Sequence, residues 1–385
     1  MWIDRLLEPH LVRAVRTRPV VVLTGARQTG KTSLLQRLFS RFHFVSLDLP
    51  SEAELAEKDP QAFLTRHPPP LVIDEVQYAP KVFRHIKVVV DRDRERVGQF
   101  VLTGSQKFTL MQEIADSLAG RVEILELESL SWQEISKAKR DSTVEALMLR
   151  GGFPELYEKP DLDSFHFYRS YTATYLERDV RSLLNVASLR DFERFIRACA
   201  LRSGQLLNKA ELARDVGISP STANQWLSVL QASGQVVLVE PWFSNKTKSL
   251  VKSPKLYLAD TGLLCALLNI QTVEELQKSP LIGAIWETLV FAELRKRETG
   301  RRLHWSLNFW HDRIREVDFL IDRGGRFELY EAKWTETPSR GDASNLLHLR
   351  RILGEKHVIK QNVVCRARHR YPVAESADAV TLDDL

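Results

Sequence analysis

The run Gly25-Ala26-Arg27-Gln28-Thr29-Gly30-Lys31-Thr32 constrains this chain more than any other feature of its sequence. It follows Pro19-Val20-Val21-Val22-Leu23-Thr24, an apolar stretch that reads as a buried strand. It precedes Lys31–Phe39, where apolar residues recur at helical spacing. A strand, a tight glycine-containing loop and a helix N-terminus together form a cradle for phosphate, because backbone N–H groups and the positive end of the helix point to one place. The string satisfies G-x-x-x-x-G-K-[ST] in that context and predicts a phosphate-binding loop. Gly25 and Gly30 let the backbone turn inward, with Ala26, Arg27, Gln28 and Thr29 between them and Ser33 in the first helical turn. Lys31 supplies a point charge for β- and γ-phosphates, and the Thr32 hydroxyl completes a magnesium shell. ATP and Mg2+ are the expected ligands.

A second string, Leu71-Val72-Ile73-Asp74-Glu75, is an apolar strand ending in two carboxylates. A carboxylate at the C-terminal end of a strand beside a phosphate loop orders magnesium, which suits Asp74. Glu75 is then placed to polarise a water attacking the γ-phosphate. Phe100-Val101-Leu102-Thr103-Gly104-Ser105-Gln106 is a third strand, whose Ser105 or Gln106 is positioned as a γ-phosphate sensor. With Phe42–Leu47, these segments alternate with helical patterns. That alternation predicts an α/β fold with a mostly parallel sheet covered by helices on both faces.

These strings resemble the AAA-family ATPases, in the branch of prokaryotic ATP-binding proteins with a C-terminal domain of unknown function. The resemblance is carried by GARQTGKT, LVIDEVQ, LTGSQ, and Ser117-Leu118-Ala119-Gly120-Arg121 before VEILELESLSWQE, with GGFPE and YLERDV further on. It implies ATP hydrolysis and an arginine that stabilises transition-state charge from a neighbouring subunit. Arg121 is the first candidate and Arg84 the second; a surface salt bridge is the competing reading of Arg121.

Further along, Lys209–Leu227 reads as helix, glycine-containing turn, helix. Ser219 caps the second helix, Pro220 takes its first position, and Ile218, Ala223, Leu227 and Leu230 face a small core. The run Gln235–Val239 then opens a hairpin, the layout of a winged helix. Residues 191–255 hold nine Lys or Arg against five acids, and Lys246, Lys248, Lys252 and Lys255 read as a basic wing. DNA is the implied partner: the lysines touch phosphates, and Ser221, Asn224 and Gln225 face the major groove. An ATPase lid or a protein-docking module fits the same pattern.

The last hundred residues carry Glu287 inside an apolar helix, Asp318 in the strand-like Glu316–Ile321, and Glu331-Ala332-Lys333 after a Gly324-Gly325 turn. Period two puts Glu331 and Lys333 on one strand face, and the turn pairs their strand with that of Asp318. The set resembles the PD-(D/E)XK nucleases, which implies that Asp318 and Glu331 ligate magnesium, Glu287 assists, and Lys333 orients the attacking water. A structural Lys-Glu pair and solvated acids on a hairpin are the alternatives.

Of 385 residues, 44% are hydrophobic and 27% charged, which excludes a disordered chain; no apolar run reaches the roughly 20 residues of a membrane span. The N-terminus lacks a signal-peptide plan. Three scattered cysteines fit a reducing cytoplasm, and a net charge of +5 permits a polyanionic partner. The expected organisation is 1–135 ATPase core, 136–190 helical lid or connector, 191–262 winged helix, and 263–385 restriction-endonuclease-like α/β domain. The function this predicts is an ATPase coupled to DNA. The alternative is a nucleotide-dependent regulator or scaffold, homo-oligomeric or protein-bound, with a catalytically dead nuclease fold.

Overall fold

The structure, a computed structural model, describes residues 2–104, 116–139, 142–176, 189–243, 253–301 and 306–385. Two units, Trp2–Ser129 and Leu130–Leu385, divide the chain. In the first, β1 (Val20–Thr24), β2 (His43–Ser46), β3 (Leu71–Asp74), β4 (Phe100–Gly104) and β5 (Val122–Glu126) form a sheet ordered β2-β3-β4-β1-β5, parallel throughout. Parallel neighbours need crossover connections. Helices α2 (Lys31–Leu38), α3 (Pro50–Lys58), α4 (Pro60–Arg66) and α5 (Val82–Arg92) lie in them, and α1 (Glu8–Thr17) precedes β1.

The strands read as unbroken apolar runs because both sheet faces are covered. Val20 and Val22 join Ile73, Phe83 and Leu102 on one face, while Val21 and Leu23 join Leu11, Leu34 and Leu35 on the other. Residues 8–17, to which the sequence pattern assigns no element, form α1 and bury Leu11, Ala14 and Val15 against that second face.

The second unit begins with four short helices, α6 (Trp132–Ala138), α7 (Val144–Arg150), α8 (Pro154–Glu158) and α9 (Ser164–Tyr171). The Gly151-Gly152-Phe153-Pro154 break separates α7 from α8 for a packing reason. A Cβ on Gly151 would sit 2.1 Å from the Tyr168 hydroxyl and 2.2 Å from Asp260 Oδ1. Asp260 accepts from Gly152 N at 2.8 Å and from Tyr168 Oη at 2.8 Å, and it caps α13 (Thr261–Leu267).

Between these lie α10 (Leu189–Ala200), α11 (Lys209–Val216) and α12 (Pro220–Ala232), with β6 (Gln205–Leu206), β7 (Val236–Val239) and β8 (Lys255–Leu258) paired antiparallel in the order β6-β8-β7. The Ser219 hydroxyl accepts from Thr222 N at 3.0 Å, and Pro220 opens α12. Ala223, Leu227 and Leu230 are buried and Ile218 half-buried. Trp226 completes this core edge-on to Phe192 and Phe195.

After α14 (Val273–Lys278), the 20-residue α15 (Ile282–Arg301) leads into β9 (Ser306–His311), β10 (Glu316–Asp322), β11 (Phe327–Ala332), α16 (Ser344–Leu353), β12 (Val358–Val364), β13 (Tyr371–Ala374) and β14 (Ala377–Val380). The sheet order is β13-β14-β12-β11-β10-β9. Strands β9, β10 and β11 run antiparallel; β11 and β12 run parallel, with α16 between them in sequence. Gly324 and Gly325 turn β10 into β11, as the sequence predicts. Trp310, Val317, Leu320 and Leu329 pack beneath Leu346 and Leu349 of α16. Beyond β7 the chain meets β9, where Trp242 N donates to Phe309 O at 2.7 Å. No helix among the described residues is long and apolar enough to cross a membrane.

Candidate functional site

In the first unit, β1 delivers the loop and α2 begins at Lys31, directly after Gly30 at φ +92°. Gly25 stands at φ +144°, and a Cβ there would lie 2.2 Å from the Leu127 carbonyl oxygen, so no other residue fits. Lys31 is buried, and its ammonium donates to Gly25 O at 2.9 Å and Ala26 O at 2.8 Å, holding the charge across the loop mouth. Thr32 Oγ1 donates to Asp74 Oδ2 at 3.0 Å, so the two sequence strings meet. Asp74 is buried. Burial raises its pKa, while hydrogen bonds from Thr103 and Thr32 work the other way. Ser33 is exposed, and Arg27 and Gln28 are half-buried.

Glu75 follows at φ +55°, a sparsely populated conformation for a side chain of its size. Its N–H donates to Thr103 Oγ1 at 3.1 Å, and its carboxylate accepts from the Gln77 amide. Thr103 also donates to Asp74 Oδ1 at 2.5 Å. One hydroxyl on β4 therefore fixes both acids. Sequence reasoning missed Thr103, although it lies inside the quoted LTGSQ string. It missed Arg5 as well, a buried side chain that donates to Thr29 O at 2.8 Å and Glu128 O at 2.6 Å and so ties the loop to the end of β5. Ser105 and Gln106 lie outside the described residues. Arg84 is exposed on α5. Arg121 is engaged by Asp91 in two hydrogen bonds, Nε to Oδ1 at 2.7 Å and Nη2 to Oδ2 at 3.0 Å.

In the second unit, Glu287, Asp318, Glu331 and Lys333 come together. Ala332 N donates to Asp318 Oδ2 at 2.9 Å, which holds Asp318 on β10 against the end of β11. Lys333 Nζ lies 2.9 Å from Glu331 Oε1, while Glu331 Oε2 is buried with no hydrogen-bond partner among the described residues. Burial first, and the neighbouring Asp318 second, push the Glu287 carboxyl up to about 7 and the Glu331 carboxyl to about 8.

Lys255 requires a correction. The sequence pattern groups it with the basic wing, but it opens β8 and is buried, its side chain 3% exposed. Its ammonium lies 3.1 Å from Glu287, 2.5 Å from Glu316 and 3.9 Å from Asp318. Burial disfavours the ammonium, yet those three carboxylates outweigh burial and raise its pKa. Tyr257, two residues along the same strand, donates to Glu287 Oε1 at 2.6 Å. Lys246, Lys248 and Lys252 lie outside the described residues, as does the YLERDV string apart from its first two positions. Ser221, Asn224 and Gln225 are exposed on α12. No group of three or more His, Cys, Asp or Glu side chains among the described residues forms a ready metal cage.

Residues 17–136 match the AAA domain family; residues 141–274 and 282–385 match two domains of unknown function, DUF8612 and DUF4143. The chain is 32% identical over 379 residues to an uncharacterized protein of Mycobacterium tuberculosis, an alignment covering 98% of this chain and 83% of that protein. It belongs to the same family of AAA-domain proteins. A second relative in the family, an uncharacterized protein of Methanocaldococcus jannaschii, is 27% identical over 336 residues, covering 78% of this chain and 72% of its own. Among solved structures, the Walker-type ATPase of Pyrococcus abyssi aligns with TM-score 0.47 and 16% identity, over 69% of this chain and 96% of that chain. The first unit is an AAA-type P-loop ATPase domain.

Proposed function

We propose that this protein binds ATP with magnesium, hydrolyses it, and couples that cycle to DNA through its second unit. The observation that carries the reading is the Thr32–Asp74 hydrogen bond, because it sets hydroxyl and carboxylate side by side beside the phosphate loop. Lys31 exchanges its two loop carbonyls for β- and γ-phosphate oxygens. Thr32 and Asp74, both hard oxygen donors, suit magnesium, which neutralises phosphate charge when bound. Glu75 polarises the attacking water. Arg121 serves a neighbouring subunit only by leaving Asp91. The test is ATP turnover by the wild type, Lys31→Ala and Glu75→Gln. Nucleotide binding that survives Lys31→Ala undiminished overturns the loop assignment.

For the second unit we propose a winged helix over 191–262 and a PD-(D/E)XK-like domain over 263–385. Two helices between β6 and the β7-β8 hairpin, in an antiparallel sheet ordered β6-β8-β7, support the first, and Ser221, Asn224 and Gln225, exposed on α12, are available to DNA. The convergence of Glu287, Asp318, Glu331 and Lys333 supports the second. The oxygen donors Asp318 and Glu331, the latter bearing a buried atom with no hydrogen-bond partner among the described residues, fit a magnesium ion that would supply Lewis-acid activation of a phosphodiester. Lys333 would orient the attacking water. Cleavage of DNA with magnesium or manganese, lost in Lys333→Ala, tests this. The regulatory reading keeps one observation in its favour: a buried lysine from another sheet already sits among the acids.

A further inference from the structure

Around Glu287 the acidic side chains outnumber the ammonium groups. Four carboxylates, Glu287, Glu316, Asp318 and Glu331, face two ammonium groups, Lys255 and Lys333. The two lysines also divide the acids between them. Lys333 pairs with Glu331 at the end of β11, whereas the Lys255 ammonium lies within 4 Å of Glu287, Glu316 and Asp318 together. Lys255 cannot easily withdraw. Its strand is clamped two residues on, where Tyr257 stacks on Phe291 of α15 at 4.4 Å and bonds Glu287. The same ammonium lies 5.5 Å above the Phe309 ring, so its remaining side is covered as well.

Phosphodiester chemistry at a carboxylate cluster is done with one divalent cation or with two about 4 Å apart. Resting on the proposed metal-binding reading of this domain, we propose that the Lys255 ammonium occupies the place of a second divalent cation. The acid site then takes a single ion, on Asp318 and Glu331. A fixed monovalent charge between Glu287 and Asp318 offsets their repulsion and, by its own charge, excludes another cation. The arrangement makes the site's stoichiometry depend on a strand of the three-stranded sheet rather than on the sheet that bears the acids.

The experiment is a nucleotide-free Mn2+ titration, read by the electron paramagnetic resonance of free Mn2+, on the full chain, Lys255→Gln and Lys255→Met. Each is compared with its Asp318→Asn counterpart, so that only ions lost with Asp318 are counted. Gln keeps a donor for Glu287 and serves should Met fail to fold. The expected result is one such ion in wild type and two in the Lys255 variants, the second removed by Glu287→Gln. One ion in all three proteins overturns the role of Lys255 and leaves the metal-binding reading standing. Two ions in wild type also overturn it. No ion in any protein overturns the metal-binding reading and the proposal with it.

Discussion

Gly25→Ala puts the phosphate-loop assignment at risk in a single substitution. Two costs fall on it. The backbone stands at φ +144°, where a residue with a Cβ pays about 1–3 kcal/mol. The new methyl would also meet Leu127 O at 2.2 Å and Leu127 C at 3.1 Å, atoms of the backbone that leaves β5. An ordinary contact needs about 3.5 Å, so the loop must lift by roughly 1 Å. A displacement of that size at a site built for close positioning costs about a hundredfold. Nucleotide affinity, measured by titrating a fluorescent ATP analogue, should fall by about that factor. The melting temperature should drop by about 2–12 °C, since 1–3 kcal/mol shifts it about 2–4 °C per kcal/mol. Gly120→Ala is the control. It too has a positive φ, +77°, but nothing among the described residues lies within 4 Å of the added carbon, so it pays only the conformational cost and should leave binding alone. Equal affinities for Gly25→Ala and wild type refute the geometry; equal losses in the two variants would show that general destabilisation, not the loop, is responsible.

Glu75→Gln should bind ATP as wild type does but turn it over about a hundredfold more slowly, in steady-state phosphate release, since it removes only the water-polarising carboxylate. Arg5→Ala strands two carbonyl acceptors, Thr29 O and Glu128 O, and should raise KM for ATP several-fold, with Arg5→Lys recovering part of the loss. Lys333→Ala should retain Mn2+ binding, because an ammonium is not a ligand, and lose DNA cleavage in a gel assay; retained cleavage removes Lys333 from the mechanism. Glu287 and Glu331, facing Asp318, Glu316, Lys255, Tyr257 and Lys333, have pKa values raised to about 7 and 8, above their ordinary 4.5. The folded protein therefore holds protons that the unfolded chain releases, and metal-free stability falls as pH rises from about 4.5 to 8. Melting curves across that range should show the slope, and Glu331→Gln should flatten it; identical slopes for the two proteins dismiss the linkage.

The first sheet was legible because a parallel sheet buried on both faces writes its strands as apolar runs, and β1, β3 and β4 are buried at every position. The meeting of Asp74 with Thr32 was legible for the same reason, since strand ends and a helix start fix it. The turn at Gly324-Gly325 announced the pairing of β10 with β11. Arg5 and Thr103 were not legible. Arg5 works through backbone carbonyls, which any residue offers, and Thr103 differs from other strand threonines only in what stands opposite. Helix α1 hides because its buried positions, Leu11, Ala14 and Val15, are interleaved with charges. Lys255 misled because proximity in sequence grouped it with Lys246, Lys248 and Lys252. In the alternation Lys255-Leu256-Tyr257 it shares a strand face with Tyr257, and that face turns to Glu287.

The two units solve the same problem, a buried carboxylate, in opposite ways. Asp74 is held by neutral hydroxyls, from Thr32 and Thr103, while the nearest ammonium, Lys31, spends its hydrogen bonds on the loop carbonyls. Its charge is solvated but not cancelled, and a hydroxyl donor rotates away at little cost when a cation arrives. That arrangement suits an ion that comes and goes with nucleotide. Around Glu287 and Asp318 the compensation is ionic and comes from the chain itself, with Lys255 locked in place by the Tyr257 stack. Removing a buried charge of this kind costs several kcal/mol, so the second site is built to keep the Lys255 ammonium in place. On the proposed reading, what changes at this acid site is what binds beside Lys255 and not whether Lys255 is there.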